Sequence, residues 1–245
     1  MIDALDHLTL RASFLKGAVG GYETLLGRQA QGGRLQLGNV GLEIEDDAAT
    51  ARLAAMVFAT ASLDKAQRLL ERRAVPVERK RDRLLLSSEA THGAPVALIE
   101  RAALPSPSPL LNSSEAASIS ALDHVVIRTP HPERAIALYA GRLGLSLRLD
   151  RSNPNWGQRL LFFRCGDLVV EMAHDLKKGV SDAPDELWGL SWRVPDVAKA
   201  NARLKAAGID VSEPRDGRRP GSQVFTVKSG TAGVPTIVIG GIGRW

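Results

Sequence analysis

The chain has 245 residues, 44% hydrophobic and only 4% aromatic, so aliphatic side chains must fill most of its core. The formal charge of +5 is interspersed with Asp and Glu and decides little between acidic small molecules and nucleic acid. Cys165 is the only cysteine, which excludes an internal disulfide and a Cys-based zinc site; no apolar stretch is long enough to span a bilayer, and the first residues enter a strand pattern without a signal-peptide profile, so the cytoplasm is the expected compartment.

Self-similarity organises the chain. Ala4-Leu5-Asp6-His7 recurs as Ala121-Leu122-Asp123-His124, and at the same spacing Arg11 falls on Arg128, Tyr22 on Tyr139, Leu26 on Leu143 and Gly27 on Gly144. In the first copy the opening strand leads to a strand over Gly41–Ile44, another over Ala55–Thr60, and a helix over Leu63–Arg73 capped by Ser62. Strands over Arg83–Ser87 and Val96–Glu100 follow, with Glu78–Arg83 a mixed-sign run on an edge strand, read as structural rather than nucleic-acid binding. Leu104 to Pro109 alternates Pro and Ser, runs on to Asn112-Ser113-Ser114, and reads as an extended linker. In the second copy, strands are expected over Leu122–Arg128, Leu160–Arg164, Leu168–Ala173, Leu190–Val194, Val224–Lys228 and Thr236–Ile239. Helices are expected over Pro132–Gly144 and Val197–Ala207.

These elements predict an α+β fold of four β-α-β-β(-β) modules, about 1–48, 49–102, 120–178 and 185–245, paired into domains 1–102 and 120–245 around a linker at 103–119. Neighbours in a strand point to opposite faces. His7, Thr9 and Arg11 therefore share one face while Leu8 and Leu10 take the other. Glu43 lies opposite Leu42 and Ile44, Glu171 opposite Val170 and Met172, and His124 opposite Val125 and Ile127. Each copy thus has a sheet face carrying a His and a Glu, the nitrogen and oxygen donors that divalent metals use.

The Leu-Asp-His strand, the helix closing on Tyr139, Leu143 and Gly144, and the Leu168-to-Met172 strand resemble the glyoxalase / bleomycin-resistance / extradiol-dioxygenase superfamily, the vicinal oxygen chelate proteins. The resemblance is strongest over 121–211 and weaker over 1–102. It implies paired modules whose sheets curl around a cleft holding a divalent metal, with ligands from the first and last strands of the modules. His7, Glu43, His124 and Glu171 match those positions. The second module of each pair departs from the pattern, with the ligand positions falling near Ala55 and Leu98 in one copy and Gly189 and Val238 in the other. Further donors could come from His174, His131 or a partner subunit, or from modules one and three facing each other to assemble both His–Glu pairs.

The function expected on this resemblance is a lyase, isomerase or ring-cleaving dioxygenase using Zn, Mn, Fe, Co or Ni as a Lewis acid on a small molecule with adjacent oxygens. Glu171 or Glu43 can act instead as general base. The alternative is a non-catalytic protein sequestering an antibiotic or another aromatic or anionic ligand. Expected substrate contacts are Trp156, Asn155 and Arg159 around one polar loop, Trp188, and Arg218 in the basic loop Arg215–Gly221. A third possibility is one active copy, the second, beside a degenerate partner. No nucleic-acid or membrane partner is expected, and a homodimer is left open.

Overall fold

Inner strands that are apolar on both faces or strictly alternating set the frame, and polar strands complete its edges. The computed structural model describes residues 1–47, 51–101, 103–111 and 114–241. The expected boundaries at 48–49 and 102, with Asn112 and Ser113 of the linker, lie outside the described residues. The first half runs β1 (Ala4–Ala12), α1 (Leu15–Leu26), β2 (Arg34–Gln36), β3 (Gly41–Asp46), β4 (Arg52–Thr60), α2 (Leu63–Arg72), β5 (Val77–Lys80), β6 (Arg83–Leu86) and β7 (Val96–Glu100). The second runs β8 (Ala121–Arg128), α3 (Pro132–Ile136), β9 (Ser146–Asn153), β10 (Gln158–Cys165), β11 (Leu168–Asp175) and β12 (Glu186–Arg193). It ends with α4 (Val197–Ala206), β13 (Arg215–Asp216), β14 (Gln223–Val227) and β15 (Thr236–Gly240). The helix expected to reach Gly144 does so by widening after Ile136 into a π-helical stretch over Ala137–Arg142.

The two halves form two mixed sheets, ordered β2-β3-β1-β4-β7-β6-β5 and β13-β14-β15-β12-β8-β11-β10-β9. In each, the two lead strands pair antiparallel at the centre (β1 with β4, β8 with β12), and each is flanked by the parallel last strand of its own module. A flat eight-stranded sheet would be roughly 34 Å wide. Yet Arg218, just past edge strand β13, lies 4.3 Å from the ring centroid of Trp156 in the turn after edge strand β9. The second sheet therefore curls until its edges nearly meet, and the face bearing His124 lines a cleft.

The other faces pack together into one core cluster running through both halves, including Leu8, Tyr22, Phe58, Leu122, Tyr139 and Trp192. Polar contacts interlock the halves. Arg203 on α4 donates to the carbonyls of Thr24 and Leu25 at the end of α1, and Arg73 after α2 donates to the Arg142 carbonyl at the end of the π-helical stretch. Helix ends leave carbonyls without partners, and here an arginine of the opposite half takes them. Tyr22 donates its hydroxyl to the Thr231 carbonyl, and the Asn39 amide pairs with both backbone groups of Leu122. Among the described residues no helix is long and apolar enough to cross a membrane.

Candidate metal centre and cleft

Strand pairing brings each His–Glu pair together. Glu43 on β3 lies beside Thr9, two residues beyond His7, and Glu171 on β11 lies beside Val126, two beyond His124. The His7 Nε2 to Glu43 Oε2 distance is 3.2 Å, and that from His124 Nε2 to Glu171 Oε2 is 3.4 Å. Behind each imidazole stands the Asp of the repeated Leu-Asp-His, whose part the sequence reading missed. Asp6 Oδ1 is 2.7 Å from His7 Nδ1, and Asp123 Oδ2 is 2.9 Å from His124 Nδ1. A carboxylate on Nδ1 fixes the ring and leaves Nε2 as the nitrogen that faces the cleft.

The two copies then diverge. In the first, Arg34 on β2 donates to Glu43 Oε1 at 2.7 Å and to Asp6 Oδ1 at 3.2 Å, while Arg101 pairs with the other Asp6 oxygen. Burial would raise the Asp6 pKa, but His7, Arg34 and Arg101 outweigh it and hold the carboxyl below its ordinary value. Gly41 makes room for this arginine, since a Cβ there would stand 2.6 Å from Arg34 Nη2. In the second copy the residue paired with Glu171 is Phe162, where Glu43 is paired with Arg34, and Val169 stands where the first copy has Gly41. No Arg or Lys of the described residues pairs with Glu171. The sequence held one signal of this difference, the Gly41-for-Val169 exchange, but Arg34 itself follows Gly32-Gly33 with no strand alternation to mark it.

The first copy therefore does not fit a divalent ion, because the Arg34 guanidinium already pairs with Glu43 and, with Arg101, offsets the charge of Asp6. The second fits in donor chemistry, with one imidazole nitrogen and one carboxylate converging on a cleft that leaves both partly exposed. It supplies two protein donors rather than three, for no group of three or more metal-capable side chains occurs among the described residues. That finding also sets aside the possibility that the two pairs meet in one site. His174 supplies nothing here, because it alternates to the opposite face from Glu171, is buried, and points Nδ1 at the Thr129 carbonyl. His131 is spent capping α3.

The missing second-module ligands have a structural reason. A Cβ on Gly189 would stand 2.9 Å from the Pro235 carbonyl oxygen, so no larger side chain fits at that position. The last-strand positions are Ala97 and Ile237, one residue before those expected, for these lie beside Val57 and Ser191. Leu98 and Val238 turn the other way into the core. None of these can bind a metal.

Burial works to lower the His124 pKa, but the Glu171 charge and the Asp123 hydrogen bond outweigh it and hold the imidazole above its ordinary value. Its charged form therefore adds stability that is fully present below the unfolded value of about 6.5 and fades as pH rises through the higher folded value. In metal-free protein the His124 resonance is expected to titrate above that value by NMR and to fall towards it in Glu171→Gln. A midpoint unmoved by that change would contradict the assigned pairing.

The expected substrate contacts separate. Trp156, with Asn155 beside it in an exposed turn, meets Arg218 across the cleft mouth. Trp188 sits under Arg128 at 4.2 Å on the rim. Arg159 is a correction, because strand alternation carries it to the helix face, where Asp150 and Glu133 bind it at 2.8 Å. Cys165 is buried, and burial pushes its thiol up to about 12, which makes it inert.

Comparison with known proteins agrees with the fold. Residues 123–226 match the family model of the Glyoxalase/Bleomycin resistance protein/Dioxygenase superfamily. No curated protein matches the sequence. Among solved structures, the Mn(II)-bound glyoxalase from Novosphingobium aromaticivorans superposes with a TM-score of 0.73 at 13% identity, covering 99% of this chain and 83% of that one. BphC, a halotolerant catechol dioxygenase, gives 0.72 at 12%, covering 100% and 89%. A mutant of 4-hydroxymandelate synthase from Streptomyces coelicolor gives 0.72 at 13%, covering 99% and 94%. By its family match over 123–226 and its fold throughout, the chain has the vicinal oxygen chelate architecture in its two-domain form.

Proposed function

We propose that the chain is a metal-dependent enzyme with one working site, the cleft of the second sheet, where His124 and Glu171 hold a divalent ion and a small molecule with adjacent oxygens. The observation that carries this reading is the contrast at the two glutamates: Arg34 binds Glu43, whereas no Arg or Lys of the described residues pairs with Glu171. When bound, the ion would act as a Lewis acid that stabilises an enolate or oxyanion, with water and substrate filling the positions the protein leaves open. Asp123 holds the imidazole so that Nε2 faces that position. Glu171 has a second oxygen free of His124, from which it can take a proton as general base. Buried Val125 on β8 and Met172 on β11 set the two strands from behind, which keeps the pair in place. The first sheet is on this reading a structural partner. Lyase, isomerase and ring-cleaving outcomes are all compatible with this set.

Metal analysis of protein purified without chelators tests the reading. One equivalent is expected, lost in His124→Ala and kept in His7→Ala. No metal under any loading condition would overturn it.

A further inference from the structure

Three features of the cleft outside the His–Glu pair point to what it takes. Arg151 on β9 projects from the same sheet face as Glu171, for it pairs with Leu160, which pairs with Ala173, two residues beyond Glu171. Arg218 approaches from the opposite edge. Their guanidinium carbons lie 5.6 and 4.3 Å from the same Trp156 ring centroid. Neither arginine has a carboxylate at ion-pair distance among the described residues, unlike Arg159, which is held by Asp150 and Glu133. Two cations gathered on one indole repel each other, and an anion between them relieves the repulsion through charge-assisted hydrogen bonds.

We infer that the cleft takes a small carboxylate with an apolar body, its carboxylate seated between Arg151 and Arg218 against Trp156 and its reacting end at His124 and Glu171. This rests on the reading that the second cleft is the working site. The spacing sets the size. Arg151 and Glu171 are separated by two strand spacings across and two residues along, about 12 Å between Cα atoms, which the long arginine side chain shortens. Phe162 and Leu160 lie on the same face along that path and form an apolar floor. A single substituted ring or a short branched chain fits between the two ends. A longer oligomer does not.

Benzoate and benzamide, which share a ring and differ in charge, test this on chelator-treated protein by tryptophan fluorescence, with Trp156→Phe identifying the reporting indole. Benzoate should give a saturable response at least about tenfold tighter than benzamide. Arg151→Gln and Arg218→Gln should each weaken benzoate by about that factor and leave benzamide unchanged, while Arg83→Gln on the other sheet changes neither. Equal affinities, no saturable response to benzoate, or indifference to both arginine variants overturns the inference. Because these titrations need no metal, the two readings fail separately. Arginine-dependent benzoate binding in a chain that takes up no metal keeps this inference and removes the enzymatic one. Metal uptake with equal binding of the two probes does the reverse.

Discussion

Glu171→Gln is expected to lower kcat/KM by about 10²- to 10⁴-fold, the range for loss of a positioned acid or base. Stability should stay nearly unchanged above the His124 titration, where its one ionic partner among the described residues has lost its charge, and fall only below it. Glu43→Gln is expected to do the opposite. On the one-site proposal it leaves turnover within about twofold, but it removes one anchor of Arg34. Steady-state kinetics and urea melts on the two variants check both halves of the contrast. Equal losses of activity in the two would sink the one-site reading.

Arg34→Ala carries the largest expected effect on stability, a loss of about 2–3 kcal/mol at neutral pH. Asp6 is fully buried, and removing one partner of a buried ion pair leaves charge without compensation. The figure sits at or below the low end for such pairs because Arg101 and His7 remain on Asp6 and Glu43 is a third exposed. The sign with pH follows from the depressed Asp6 carboxyl. Its contribution is present above the unfolded value of about 3.9 and is lost as pH falls through the lower folded value. The penalty of Arg34→Ala should therefore shrink in acid. Urea midpoints at neutral and acid pH measure it. A loss under about 0.5 kcal/mol, ordinary for an exposed pair, would show that the network is not what holds β2 in place.

What was legible in the sequence follows from burial. β4, β7, β8, β11 and β15 carry apolar side chains on one or both faces, so their periodicity shows. The edge strands do not show it. β2 and β13 are three and two residues long, and β9 reads Ser146-Leu147-Arg148-Leu149-Asp150-Arg151, mostly exposed and charged at Arg148, Asp150 and Arg151. The His–Glu pairs were legible because duplication displays them twice. Their difference was not, since it lies in Arg34, a residue whose role depends on a three-residue strand and on the space left by Gly41. Arg159 misled for a related reason: it lies just before the strand expected over Leu160–Arg164, whereas β10 begins at Gln158, so its face was not assigned.

The crossed arginines bear on how the molecule comes apart. Arg203 and Arg73 each cap a helix of the opposite half, and the apolar cluster is continuous between the halves. A peptide ending in the linker would leave the α1 carbonyls bare and half of a shared core facing water. The protein should thus melt in a single cooperative transition despite its tandem origin, and a nick at Pro107 should leave the two fragments associated. The first half is thereby the other wall of the core on which the second half folds, whatever chemistry it carries.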